Sequence, residues 1–363
     1  MKCATYEVKV VSSKLSRAQK EEANALFREA KWMRNYVISD VNNADRNAKS
    51  VLIKVGNVFE ERLFSILGSQ SKQDIYDEVK SNIKTLNTQK SKGRKIGALK
   101  FKSVCNCVPL RQYGNTYKID FNKNTIKVVN IKKPFKVRGL DQIPENTEIA
   151  SAKFMRKASG LYFHITTYSN CKNPICSDGV GIDFGIKHNL TTSDRQAFDV
   201  YVNESKSAKL LSRKMNRSFC KNGKVKTKNH YKRKQKLRKA YECDKNRRID
   251  AAHKIIHNFK RYKTIVIQDE MISNWHSGLF GKQVQHSAMG TIKAELKNNS
   301  NTIVIERSFP STQLCPVCGC LTKHPLTARE YNCAHCGYHH DDRDVKAAQT
   351  ILMEGLRRMQ ASP

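Results

Sequence analysis

The chain has 363 residues, enough for two or three domains, with 67 Lys and Arg against 32 Asp and Glu and a formal net charge of +35. An excess of that size repels itself and calls for a polyanionic partner, nucleic acid first, because neutralised phosphates supply most non-specific affinity. No apolar run approaches the ~20 residues of a membrane span, and the N-terminus MKCATYEVKVVSS lacks the apolar core of a signal peptide. Of twelve cysteines, four share metal-ligand spacing and the rest are scattered, which suits a reducing compartment. The expected location is the cytoplasm, without membrane association.

In chain order, MKCATYEVKVV alternates, with Tyr6, Val8 and Val10 on one strand face. Residues 16–41 read as a helix with an apolar stripe of Ala23, Leu26, Phe27, Ala30, Met33 and Val37. The helical reading continues over 58–86, and the basic link TQKSKGRKIGALKFKS re-enters β structure at residues 99–101. Residues 100–170 are β-rich. Tyr117, Ile119 and Phe121 alternate, as do Ile126 and Val128, and FMRKASGLYFHITTY reads as two strands about residues 158–160. The first strand needs partners, so the predicted product is a small β-barrel into which the N-terminal helices are inserted.

At GVGIDFGIKHNLTTSD the character changes. Val180, Ile182 and Phe184 share one strand face; Gly181, Asp183 and Gly185 share the other. A long, basic helical region over 204–263 follows, then the strands YKTIVIQDE and NTIVIERSF, a cysteine-rich stretch and a final helix.

The strongest motif is Cys315-Pro-Val-Cys318, fourteen residues, then Cys333-Ala-His-Cys336. Two such knuckles present four thiolates tetrahedrally, as structural Zn²⁺ requires. Gly319 and Gly337 supply the left-handed residue each turn needs. Cys320, His335, His339 and His340 read as neighbours of the site and not as ligands.

The acids carry the second signal. An Asp inside a strand is disfavoured, and the glycines flanking Asp183 clear space for a close backbone or a bulky substrate. Alternation puts Val266, Gln268 and Glu270 on one face and Asp269 on the other, a pattern that an ordinary polar strand end also gives. Asp344, before VKAAQTILMEGL, reads alone as a helix N-cap, and Asp341 and Asp342 as solvated turn residues. Taken together, two strand acids and one acid at a helix start could hold two Mg²⁺ ions, with waters and a substrate phosphate completing their shells. Such a pair activates a water and stabilises the leaving oxygen in phosphodiester hydrolysis.

GIDFGIKHNLTTSD, the strand ending in Glu270, SFPSTQLCPVCG, YNCAHCGYHH and DRDVKAAQTIL stand in the order seen in TnpB proteins, and the chain resembles that family. These are transposon-encoded RNA-guided nucleases, relatives of the miniature type V CRISPR effectors. The resemblance implies an α+β multidomain chain. A wedge-like β-barrel (1–12 and 99–172) carries an inserted helical recognition region (13–98). A RuvC-like, RNase H-type α/β nuclease domain (178–314 and 340–363) carries an inserted zinc ribbon (315–339). Asp183 matches the first catalytic acid and Asp344 the third. Gln268 falls where the middle Glu is expected, so Glu270 is taken for that role; Lys346 replaces the usual Asn. The resemblance further implies a guide RNA, a double-stranded DNA target and a short flanking motif, with Gln73 at a position used to read it. A monomer is expected. The basic segment 206–248 suits an RNA or heteroduplex backbone. Two alternatives stand beside this reading: a nuclease-inactive RNA-guided regulator, and a guide-independent RuvC-like nuclease or transposase.

Overall fold

The computed structural model describes residues 2–169, 179–221, 223, 225–299, 301–325 and 327–361. It divides into two compact units, Met1–Cys171 and Lys172–Pro363. The expected junction between barrel and nuclease domain, 172–178, lies outside the described residues.

The first unit runs β1 (Lys2–Val10), α1 (Arg17–Ser39), β2 (Ser50–Val55), β3 (Val58–Leu63), α2 (Ser69–Ser91), β4 (Cys107–Leu110), β5 (Tyr117–Asp120), β6 (Thr125–Val128), β7 (Phe135–Arg138), β8 (Glu148–Lys157) and β9 (Gly160–Ser169). Seven strands pair antiparallel in the order β4-β8-β9-β1-β7-β6-β5. β4 and β5 remain edges, so the predicted barrel is a nearly closed sheet. Every residue of the predicted α1 stripe is buried, against Val8, Val10, Phe135, Phe154 and Phe163 of the sheet. The large ones, Leu26, Phe27, Met33 and Val37, contribute about 1.5–3 kcal/mol each. A capping box closes the start of α1: the Ser16 hydroxyl accepts from the Gln19 N–H, and the Gln19 side chain accepts from the Ser16 N–H.

Two expectations fail here. Residues 58–63 are not helical but the second strand of a hairpin with β2, in register from Ser50↔Leu63 to Val55↔Val58. The turn is Gly56-Asn57, with Gly56 at φ +63°; a Gly-Asn pair between two β-branched runs is itself a hairpin signal. The buried Glu29 carboxylate then anchors the chain after β3, accepting from the N–H groups of Ser65, Ile66 and Leu67. Residues 99–101 form no strand. Asn35 of α1 bonds both the N–H and the carbonyl of Lys102 at 2.9 Å, so a side chain takes the place of a ladder partner.

The second unit runs β10 (Val180–Phe184), β11 (Leu190–Thr192), β12 (Ala197–Phe198), α3 (Lys206–Lys221), α4 (Lys228–Asn258), β13 (Ile265–Gln268), α5 (Gly281–His286), α6 (Met289–Lys297), β14 (Thr302–Ile305), β15 (Tyr331–Asn332), β16 (His339–His340) and α7 (Arg343–Ala361). Its main sheet has the order β12-β11-β10-β13-β14. β10, β13 and β14 are parallel; β11 is antiparallel to both its neighbours. Val180, Ile182, Ile265 and Ile267 pack on α4 and α6, while Val266 and Ile305 pack on Ile351 of α7. Burial on both faces explains the unbroken apolar run TIVI. The single helical region expected over 204–263 is two helices, separated by a turn at Gly223 with φ +58°. Phe219 and His230 meet at 5.5 Å across the pair, and buried Asp244 accepts from the Ser205 N–H.

α7 lies directly on β10. A Cβ at Gly181 would stand 2.0 Å from the Ala348 carbonyl oxygen and 2.8 Å from the Leu352 nitrogen. Gly181→Ala is therefore expected to destabilise the second unit by at least about 3 kcal/mol, the upper end of ordinary overpacking costs. Gly290→Ala, at a helical glycine with open space around it, should leave the urea midpoint unchanged or raised. Equal midpoints for the two variants would contradict the close approach.

Candidate active site

The four cysteines converge. Cys315 and Cys336 sulfurs lie 3.6 Å apart, Cys318 and Cys333 3.5 Å, and all four fall within 4.8 Å of one another. Both turns have one construction: the Gly319 N–H donates to the Cys315 carbonyl and the Gly337 N–H to the Cys333 carbonyl, with φ +71° and +68° at the glycines. The N–H groups of Cys336 and His335 hold the Cys333 thiol down to about 5 against the opposing effect of burial. Cys318 and Cys336 are raised in turn, so protons are shared unevenly across the four sulfurs, and it is the closed four-sulfur geometry that fits a structural zinc ion. Cys320 is outside the set, and His339 bonds Asn332 instead.

Asp183 is half-buried and faces α7, because alternation sends Ile182 and Phe184 into the opposite core. Asp344 lies in the first turn of α7 but does not cap it. Asp342 does: its Oδ1 accepts from the N–H groups of Asp344 at 2.8 Å and Val345 at 3.2 Å. This corrects the N-cap reading of Asp344; Asp342 is exposed, as expected of a turn residue, and takes the capping role as well. Asp341 is held by two bonds from Arg195. Glu270 comes from the turn after β13, where its N–H returns to the Gln268 carbonyl at 2.8 Å. Asp269 is bound by Lys293 at 2.8 Å, and the same ammonium binds the Glu270 carbonyl. The neighbouring acids are thus engaged, and Asp183, Glu270 and Asp344 line one cavity of about 860 Å³. Sequence reasoning passed over Arg307, Arg343 and Trp275, which share its wall. The arginines' only signal was proximity to the acid-bearing motifs. Gln73 belongs to the first unit, where its amide donates to the Asn47 side chain at 2.7 Å.

Burial, followed by the Asp344 and Glu270 carboxylates, pushes Asp183 up from 3.8 to about 8, against the pull of Arg343. Burial also raises Glu270, opposed by Lys293 and Arg307. Without metal, folded Asp183 keeps its proton up to about 8 while the unfolded carboxyl releases it near 3.8, so stability falls as pH rises between them. A bound divalent cation would relieve that charge. The thermal upshift on adding Mg²⁺ should be larger at about pH 8.5 than at about pH 6, where a proton must first be displaced. Equal upshifts would detach Asp183 from the metal.

Comparison with known proteins bears on the same residues. Residues 172–274, which include Asp183 and Glu270, match the family described as "Probable transposase". Residues 288–351, which include the four cysteines and Asp344, match the family described as "Cas12f1-like, TNB domain". A Streptomyces pristinaespiralis protein named "Putative RNA-guided DNA endonuclease" is 29% identical over 233 residues. The chain is TnpB-like. The aligned part is 61% of this TnpB-like chain and 57% of that relative's length. Among its described residues, no helix is long and apolar enough to cross a membrane.

Proposed function

We propose that this TnpB-like chain is an RNA-guided, Mg²⁺-dependent DNA endonuclease, with the second unit as its RuvC-like nuclease domain. The observation that carries the reading is that Asp183, Glu270 and Asp344 line one cavity, with their neighbours Asp269, Asp341 and Asp342 engaged elsewhere; among the described residues only the four cysteines bring ligand atoms within 4.8 Å of one another, so metal binding would draw the three acids closer. A mixed sheet with helices on both faces fits the RuvC-like resemblance. Asp183 is raised first by burial and then by the Asp344 and Glu270 carboxylates; divalent cations would neutralise that second contribution, and three carboxylates are ligands suited to two Mg²⁺ ions. When bound, those ions would supply an activated water and stabilise the leaving oxygen. Arg307 and Arg343 would hold the phosphate beside the acids, and Trp275 gives the cavity an aromatic wall for the nucleotide. Hydrolysis would leave a 3′-hydroxyl and a 5′-phosphate, and the one cavity would cut the two strands in turn. The basic α3–α4 pair would follow the guide or heteroduplex backbone. Gln73 would read adenine in the flanking motif by exchanging its bond to Asn47 for one to the base. The test is to express the protein from its own locus and sequence the RNA that co-purifies. A single abundant RNA with a variable end matching the target is expected; the absence of any discrete RNA would refute guidance.

One observation favours a second reading. Gln268, not an acid, occupies the strand end beside Asp183, as in a nuclease-inactive guided DNA-binding regulator. Guided binding without cleavage in Mg²⁺ would select it.

A further inference from the structure

Gln268 and Lys346, where the chain departs from the TnpB pattern, meet on a single residue. Gln268 is 3% exposed. Its Nε2 donates to the carbonyls of Glu306 at 3.3 Å, Arg307 at 3.0 Å and Phe309 at 2.7 Å, and its Oε1 accepts from the Ser311 hydroxyl at 2.9 Å. The reverse orientation would set the amide oxygen against three carbonyls, so the network decides which atom is the nitrogen. Lys346 is fully buried. Its Nζ donates to the Ser311 carbonyl at 3.1 Å and stands 3.9 Å from the centre of the Tyr331 ring. Ser311 thus serves one residue with its hydroxyl and the other with its carbonyl.

Residues 307–311, held between them, line the cavity that Asp183, Glu270 and Asp344 share. A glutamate at 268 has no hydrogen to give when ionised. It would keep the Ser311 hydroxyl but face three carbonyl dipoles, and the segment carrying Arg307 would have to move. A buried ammonium is costly in isolation; one carbonyl, one ring and the nearby Cys315 and Cys333 sulfurs offset that cost and tie Lys346 both to the wall and to the cysteine module.

We propose that Gln268, Ser311 and Lys346 form one positioning unit that fixes the 307–311 wall of the acid cavity, so that a carboxylate at 268 cannot take the middle acidic role. This rests on the nuclease reading and deepens it: the amide at 268 is a required part of the wall, and Glu270 is the middle acid.

The experiment is single-turnover cleavage of a labelled duplex by guide-loaded protein in Mg²⁺, at saturating and limiting target. Gln268→Glu and Lys346→Met are each expected to lower the saturating rate by about tenfold or more with target affinity retained, the effect typical of groups that orient a ligand. Their combination should be no slower than the slower single variant. Gln268→Glu should restore nothing to Glu270→Gln. Ser311→Ala, the mildest change, should lower the rate in the same way. Wild-type rates for Gln268→Glu, recovery of cleavage in Gln268→Glu/Glu270→Gln, or multiplying effects in the double variant would overturn the proposal. Melting temperatures of the four proteins of the 268/346 cycle give a readout independent of catalysis. Non-additive shifts support the unit, and additive shifts overturn it, even if the wild-type protein does not cut. A non-cutting wild type would count against the nuclease reading alone.

Discussion

On the proposed function, Asp183→Ala is expected to lower guided cleavage by on the order of a thousandfold, because the metal-derived stabilisation it would help to hold amounts to several kcal/mol and each 1.36 kcal/mol is a factor of ten. Binding to guide-matched DNA should be nearly unchanged, since the side chain lies in the acid cavity and the basic α3–α4 surface is untouched. Removing the carboxylate also removes the repulsion among the three acids, so the metal-free variant should be no less stable than wild type above neutral pH. Lower activity with preserved or raised stability separates a catalytic loss from a folding loss. A variant that cuts normally would place the chemistry elsewhere.

The second large effect concerns the cysteines. Binding of a structural zinc ion to such a set is worth about 10–16 kcal/mol at neutral pH, and in a small module this is folding free energy. The two short strands β15 and β16 and a cluster of Cys315, Tyr331 and Cys333 are little to hold the segment without it. Cys315→Ala, or removal of metal with a chelator, should therefore expose Tyr331 and abolish exchange protection across residues 313–340. Lys346 would lose its aromatic partner, so exchange at Ser311 and its neighbours should rise as well. The checks are metal analysis and hydrogen exchange. About one zinc per chain, and loss of protection on chelation, are expected for a closed four-thiolate site. Unchanged protection after chelation would mean that the module folds on its own contacts.

Local periodicity carried much of the fold. The α1 stripe, the alternation in β10 and the paired knuckles each repeat within a few residues and need no distant partner to be read. The hairpin of β2 and β3 escaped because apolar runs at 51–53 and 58–59 are too short to separate helix from strand without weighing the Gly56-Asn57 turn. The site was legible in its acids but not in their setting. Nothing local says that Asp342 caps α7 and so leaves Asp344 to face the cavity, where Arg329 stands 3.8 Å from it, because the two acids are two residues apart and chemically alike. Nothing local shows that Gln268 bonds three carbonyls thirty-eight or more positions away. Alternation also placed Glu270 on the Gln268 face by extending a strand that in fact ends at Gln268; Glu270 lines the cavity through a turn.

The most direct measurement is cleavage of a plasmid by the purified protein loaded with its co-purifying RNA. Mg²⁺ and EDTA arms would each be run with a matching target, a scrambled target and the Asp183→Ala variant. Linearisation is expected only for wild-type protein with the matching target in Mg²⁺. Cleavage that persists with the scrambled target, in EDTA or in Asp183→Ala, or binding to the matching target without any cleavage, would contradict a guided nuclease centred on Asp183, Glu270 and Asp344.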